Sequence, residues 1–265
     1  MAKIGFIGMG NMGTAIMRGL LKTYQPEELL FTSAHEAKMQ KITEETGVAH
    51  VSTANECAEQ VKYLVLAVKP QVLPIVFKEL NGKIRKDQVV ISIAAGYAIA
   101  DLQAGLGESA RIVRSMPNTP AMVGEGMSGV SYDENLFTDE EKQVIDGFFT
   151  SFGKMEKVDE KLMDVVGSAS GCSPAYVYMF IEALADSAVK YGIPRADAYK
   201  LVAQTVLGSA KMVLETGEHP GLLKDKVCSP GGTTIAGVAA LEEYGLRNAL
   251  MKATDACYAK CKGIQ

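Results

Sequence analysis

A short apolar run, Ile4–Ile7, leads at once into Gly8, Gly10 and Gly13 within the stretch KIGFIGMGNMGTAIMRGLL. This G-x-G-x-x-G spacing restricts what the chain can fold into more than any other feature. Gly8 permits a tight turn, Gly10 lets a pyrophosphate approach the backbone, and Gly13 lets a helix pack on the strand. The helix N-terminus then offers free N–H groups and the positive end of its dipole to phosphate. Three glycines alone are a weak signal, but here they stand between a strand-like run and an amphipathic stretch, the context that the chemistry requires. The spacing predicts a dinucleotide-binding unit at this end of the chain.

The residues that follow continue the same alternation. Apolar, β-branched runs at 29–31, 63–68, 89–93 and 112–113 read as parallel strands buried on both faces. Between them lie helix-like segments at 14–22, Glu36–Thr46 (stopped by Gly47) and 71–80 (followed by Gly82). Such alternation predicts a doubly wound α/β sheet over residues 1–158. Beyond that point strand signals vanish. Ser173 and Pro174 form an N-cap and first-turn pair, opening a helix expected to reach 191. Further helices are expected at Arg195–Thr216, at 221–226, after Gly231 and Gly232, and at 246–262, so residues 159–265 form an all-helical second domain. Tyr176, Val177, Met179, Phe180, Ile181, Leu184, Ala185 and Val189 cannot share one stripe of their helix. A helix of this kind is expected to be buried all round, and the domain is too small to do that alone. Subunits are therefore expected to pack through it, making at least a homodimer.

Composition narrows the function classes. With 27 basic against 31 acidic residues the net charge is −4, unlike a nucleic-acid binder that relies on a broad basic face. No apolar run approaches the roughly 20 residues that span a bilayer, and nothing at the start reads as a signal peptide. Five scattered cysteines (Cys57, Cys172, Cys228, Cys257, Cys261) are unlike a disulfide framework and fit a reducing, cytoplasmic setting. Cys257 and Cys261 have no second pair or nearby His to complete a zinc set. The three histidines are scattered, so no metal is expected.

Which nucleotide is preferred depends on the end of the second strand. An NAD site usually carries an acid there to hold the ribose 2′-OH, but the stretch reads Leu30-Phe31-Thr32-Ser33-Ala34-His35-Glu36. Ser33, with His35 and Lys38 nearby, suits a 2′-phosphate, so NADPH is expected over NADH, although NADH remains possible. Lys69, in the VKPQ stretch, and the ISIAAG run through Ala95 fall where ligands of open α/β sheets sit. The RIVRSMPNTP stretch reads as a strand leaving the sheet into a Pro-rich turn, either a bend or a ligand contact. In the helical half, Cys228-Ser229-Pro230-Gly231-Gly232-Thr233-Thr234 leads straight into a helix. Its N–H groups and hydroxyls make either an anion nest, suited to a substrate carboxylate, or a helix cap. A cap explains Thr233 alone.

Taken in order, GFIGMGNMG, AVKPQ, SIAAG, RSMPNTP, SGCSPAY and, above all, CSPGGTTIAGV resemble the Δ1-pyrroline-5-carboxylate reductase family over essentially the whole chain. The resemblance implies an N-terminal Rossmann domain and a helical C-terminal domain that interlocks with a partner's, and NAD(P)H-dependent reduction of the cyclic imine 1-pyrroline-5-carboxylate to L-proline. It implies a cofactor site lined by Ile7, Gly8, Met9, Gly10, Asn11, Met12, Gly13, Ser33, Asn55, Val68, Lys69 and Ala95. Glu160, Ser229, Gly232, Thr233 and Thr234 are implied for the substrate site, with the Thr234 hydroxyl beside the ring nitrogen. Two positions depart from the family: His35-Glu36 stand where members often carry an Arg, and Lys226 where some carry Asn. The start of the chain also looks like β-hydroxyacid dehydrogenases. Those place a catalytic Lys on the long second-domain helix, where this chain has none before Lys190. A non-catalytic dinucleotide sensor would need no second polar nest.

Overall fold

Short β-branched runs satisfy their backbone only by pairing side by side, and here eight strands do so in one sheet. The computed structural model describes residues 3–262. In chain order its first part runs β1 (Ile4–Ile7), α1 (Asn11–Leu20), β2 (Leu29–Thr32), α2 (Glu36–Thr46), β3 (Ala49–His50), α3 (Ala54–Gln60), β4 (Tyr63–Leu66), α4 (Leu73–Leu80), β5 (Val89–Ser92), α5 (Ile99–Leu106), β6 (Arg111–Met116), β7 (Gly126–Ser131), α6 (Asp139–Thr150), β8 (Gly153–Lys157) and α7 (Met163–Val166). The strand order is β3-β2-β1-β4-β5-β6-β7-β8. Every pairing is parallel except β6 with β7.

Alternate side chains sort to opposite faces, as a pleated strand requires. Ile4 and Phe6 of β1, Val65 of β4 and Ile91 of β5 pack with α1 and with Phe148, Phe149 and Phe152. Ile7, Leu64, Leu66 and Val90 pack on the other face, against Leu73, Val76 and Leu102 from α4 and α5. Every residue of β1, β2, β4 and β5 is buried, which is why these strands carry no polar alternation.

Two expectations are corrected in detail, and the strand expected to run into a Pro-rich turn is given its bounds. The first helix begins at Asn11, three residues before the expected 14, because Gly10 is its N-cap and the glycine loop itself forms its first turn. The strand expected at 63–68 ends at Leu66, leaving Ala67, Val68 and Lys69 to turn over the sheet edge. The Arg111–Met116 strand stays inside the sheet, hydrogen-bonded to β5 and β7. The chain leaves it only after Met116, through the 3-10 turn Thr119–Val123.

α6 is tied to the sheet by a buried charge. Thr138 and Glu141 form a capping box. The Glu141 carboxylate also accepts from Arg111 of β6 and lies 3.0 Å from Lys62 Nζ. Burial alone would raise the Glu141 carboxyl, but Arg111, the Thr138 N–H and Lys62 hold it down to about 2.

The described residues divide into two compact units, one comprising residues 3–172 with 260–262, the other Ser173–Ala259. The sheet ends at Lys157, just before the expected boundary at 158/159. The second unit contains α8 (Ser173–Lys190), α9 (Arg195–Thr216), α10 (Pro220–Val227), α11 (Thr233–Glu243) and α12 (Leu246–Cys261), whose last residues belong to the first unit. Here the single chain departs from a helix buried all round. Only Ala185 of α8 is buried, while Met179 is 68% and Tyr178 59% exposed. The unit has no further layer of its own to lay over those faces. An apolar groove of about 760 Å³ runs between α8 and α9, bordered by Phe180, Leu184, Tyr191, Leu201 and Val213.

Glu141 supplies a stability prediction. Its native carboxyl titrates near 2 and its unfolded counterpart near 4.3. Its contribution, on the order of 3 kcal/mol, is therefore complete at neutral pH and is lost as pH falls through that interval. Glu141→Gln is expected to lower Tm by several degrees at pH 7. The gap from the parent protein should close as pH approaches 2.5 in calorimetry, and a gap unchanged across that range contradicts the assignment.

Candidate functional site

The strand order reverses between β1 and β4, and ligands of open α/β sheets bind at the carboxyl ends on either side of that point. Three stretches of backbone meet there. Gly8 has φ +98°, and a Cβ on it would lie 2.7 Å from Val68 Cγ1 and 2.8 Å from the Ala67 carbonyl oxygen. A Cβ on Gly13 would lie 2.6 Å from the Gly8 carbonyl oxygen. Beside Gly10, by contrast, a Cβ would meet nothing within 4 Å. Gly10 caps α1 without a side chain, so the first-turn N–H groups of Asn11, Met12 and Gly13 face that space without a side-chain cap. Ile7 and Met9 are buried in the core; only their backbone can serve the loop.

The other expected cofactor residues follow the carboxyl ends of neighbouring strands. Ser33 comes directly after β2, half-buried, its N–H 3.1 Å from Met39 Sδ. His35 is the N-cap of α2 and makes no side-chain cap bond. The first acid after β2, Glu36, is engaged by His50 at 3.3 Å and Gln40 at 3.4 Å. Lys38 has no ion pair among the described residues. It borders a groove of about 410 Å³ shared with Asn11, Arg18 and Lys41. Asn55, following β3, donates its N–H to Glu79 (3.2 Å) and its side-chain amide to Glu59 (2.8 Å). Its Oδ1 is buried with no partner. Val68 and the exposed Lys69 follow β4, and Ala95 follows β5. The glycine cradle, the uncapped helix start and the orphaned Asn55 oxygen fit a ligand that brings phosphate and a hydrogen-bond donor.

Glu160 opens the 3-10 turn Glu160–Leu162 after β8. Its Oε1 accepts from the Ile99 N–H at 2.5 Å and from Arg114 Nη1 at 3.2 Å. Arg114 also reaches Asp164 Oδ1 at 3.5 Å. The sequence reading passed over Arg114 and Asp164. The available signal for Arg114 was a charge directly after the apolar pair Ile112–Val113 of a sheet strand, because an Arg buried in a sheet has to be paired.

In the second unit Gly231 turns the chain at φ +67° and the Gly232 N–H donates to the Ser229 carbonyl at 3.0 Å. Any side chain on Gly232 would run into Ser229 Oγ. Gly232, not Thr233, is the N-cap of α11, and no side chain caps it. Ser229, Thr233 and Thr234 are exposed, and none of their hydroxyls has a hydrogen-bond partner among the described residues. The nest thus gathers Ser229, Gly232, Thr233 and Thr234 around an uncapped helix start, and the capping role considered for Thr233 is not realised. Lys226 lies 2.5 Å from Glu218.

Comparison with known proteins agrees over the whole length. Residues 160–264 match the family model described as pyrroline-5-carboxylate reductase dimerisation, and 3–96 match one described as NADP oxidoreductase, coenzyme F420-dependent. The pyrroline-5-carboxylate reductase of Escherichia coli K12 is 46% identical, covering 99% of this chain and 98% of its own. The solved pyrroline-5-carboxylate reductase of Coxiella burnetii superposes with TM-score 0.90 at 33% identity, covering 100% of this chain and 98% of that one. That of Plasmodium falciparum, solved with NADP bound, gives 0.88 at 34%, covering 99% and 98%.

The glycines separate fold from binding. Gly10→Ala is expected to leave Tm within about a degree of the parent while weakening dinucleotide binding about 10-fold or more by calorimetric titration. Gly13→Ala, which meets backbone, is expected to lower Tm. Equal binding by Gly10→Ala and the parent contradicts the placement of the pyrophosphate.

Proposed function

The chain belongs to the pyrroline-5-carboxylate reductase family, and from that premise we propose that it is an NAD(P)H-dependent oxidoreductase that reduces the C=N bond of 1-pyrroline-5-carboxylate to L-proline, the last step of proline biosynthesis. The observation that carries this is the presence in one chain of a phosphate-ready crevice at Gly8–Gly10 and of a second anion nest at Ser229–Thr234 whose hydroxyls have no hydrogen-bond partner among the described residues. We assign cofactor binding to residues 1–158 and substrate binding with subunit association to 159–265.

The reaction asks little acid–base work of side chains, because a protonated imine already presents an electrophilic carbon. NAD(P)H, when bound, would supply the hydride. The backbone from Ile7 to Gly13 would hold its pyrophosphate at the start of α1, with Ser33, Asn55, Val68, Lys69 and Ala95 completing the site. Ser229, Gly232 and Thr233 hold the substrate carboxylate at the start of α11, the Thr234 hydroxyl oxygen accepts one hydrogen bond from the protonated ring nitrogen, and Glu160 is a further residue assigned to substrate binding. Orientation and exclusion of water account for the rest. NADPH is the preferred form: no acid stands at the end of β2, Glu36 is engaged by His50 and Gln40, and the exposed Lys38, on the helix that follows Ser33, has no ion pair among the described residues.

The protein is a homo-oligomer, and we propose a dimer built through the second unit. The exposed apolar faces of α8 and the groove beside α9 support this, since a soluble monomer rarely leaves so much contiguous apolar surface in water. No described helix is long and apolar enough to cross a membrane. Five scattered cysteines, unlike a disulfide framework, support a cytoplasmic placement.

Oxidation of NADPH with the cyclic imine, but not with 3-hydroxy acids, is the expected activity; the reverse preference rejects the assignment in favour of a hydroxyacid dehydrogenase. Thr234→Val keeps the shape and deletes the hydroxyl. It is expected to lower kcat/KM about 5- to 150-fold with NADPH affinity and Tm unchanged, and an unchanged kcat/KM returns Thr234 to a structural role. Ser33→Asp is expected to shift preference toward NADH, which a parent already faster with NADH would contradict. Sedimentation should find a dimer or larger; a folded, active monomer below micromolar concentration contradicts the interface.

A further inference from the structure

We propose that Arg114 is the positioning residue for the Glu160 carboxylate, a role that rests on the reading of Glu160 as part of the substrate site. Arg114 stands on the sheet row that runs Ile7, Leu66, Ser92, Arg114 across β1, β4, β5 and β6. This row joins the last residues of β1, β4 and β5, where the cofactor residues begin, to β6. The side chain is 8% exposed. Burying a guanidinium there is costly, and an apolar residue would fill an interior strand more cheaply. A purely structural account needs one counter-ion, and Asp164 at 3.5 Å already supplies it.

Glu160 receives more than neutralisation. Arg114 Nη1 and the Ile99 N–H, at the start of α5, both converge on Oε1, while Oε2 has no hydrogen-bond partner among the described residues. Two donors from different directions fix the rotation of the carboxylate and present its second oxygen. Asp164 cannot take that place, because its other oxygen is 2.7 Å from Lys262 Nζ. Glu160 sits on a surface turn with its side chain 35% exposed; without Arg114 only the Ile99 N–H would hold it, and its second oxygen must be ordered anew each time substrate binds. Its contribution then appears in substrate KM more than in kcat.

A double-mutant cycle tests this. Arg114→Met is expected to raise KM for the imine about 10-fold, with kcat and the KM for NADPH changed by less than about 3-fold. In a Glu160→Ala background the same substitution should raise it by less than about 2-fold, because the group it orients is gone. Arg114→Lys keeps a charge in the sheet, so it folds even where Met does not. Lacking the fork, it is expected to raise KM about 3-fold or more, an effect also absorbed by Glu160→Ala. Equal factors in both backgrounds make Arg114 structural and overturn the proposal, as does an unchanged KM in the Arg114 variants. If Glu160→Ala alone leaves KM for the imine unaltered, the placement of Glu160 in the substrate site fails, and the positioning role with it, whatever Arg114 does.

Discussion

The fold hangs on an approach of backbone to backbone at the β1–α1 turn. Gly13 brings the first turn of α1 to within one methyl group of the Gly8 carbonyl, and Gly8 does the same to Ala67 at the exit of β4. No side chain fits between them. Because β1 and β4 are adjacent and their connections leave in opposite directions, that contact opens a crevice, floored by main chain and bordered by the uncapped start of α1. The residues assigned to cofactor binding lie at or after the carboxyl ends of β1 to β5.

β6 extends this logic to the rest of the first unit. Its two arginines, three residues apart, point to opposite faces and act at opposite ends. Arg111 pairs Glu141 and so fastens α6 to the sheet; Arg114 pairs Glu160 and Asp164 and so fastens the turn that follows β8. A buried arginine has to find carboxylates, and each one draws a distant segment into place. The first anchors structure; the second anchors a side chain assigned to the substrate.

Much of this was legible in the sequence, for identifiable reasons. The helices Glu36–Thr46 and Arg195–Thr216 match their expected bounds because Gly47 and Gly217 end them in left-handed turns. The buried strands of the sheet centre were readable because nothing polar interrupts them. β3 has only two residues, and β7 (GMSGVS) and β8 (GKMEK) lack an apolar run, so composition did not single them out. Their place comes from pairing, of β3 with β2, β7 with β6 and β8 with β7, which is tertiary. Residue types near the site could be read, but not which hydroxyls stay unpartnered in the nest, nor which oxygen of Glu160 is held. The apolar faces of α8 were legible as needing cover, and the single chain leaves them open.

The most direct measurement is a crystal structure of the protein with NADPH. The account predicts the pyrophosphate beside Gly10, within hydrogen-bond distance of the Asn11 and Met12 N–H groups, with the 2′-phosphate at Ser33. A dinucleotide bound elsewhere, or one whose pyrophosphate leaves the start of α1 untouched, would contradict it.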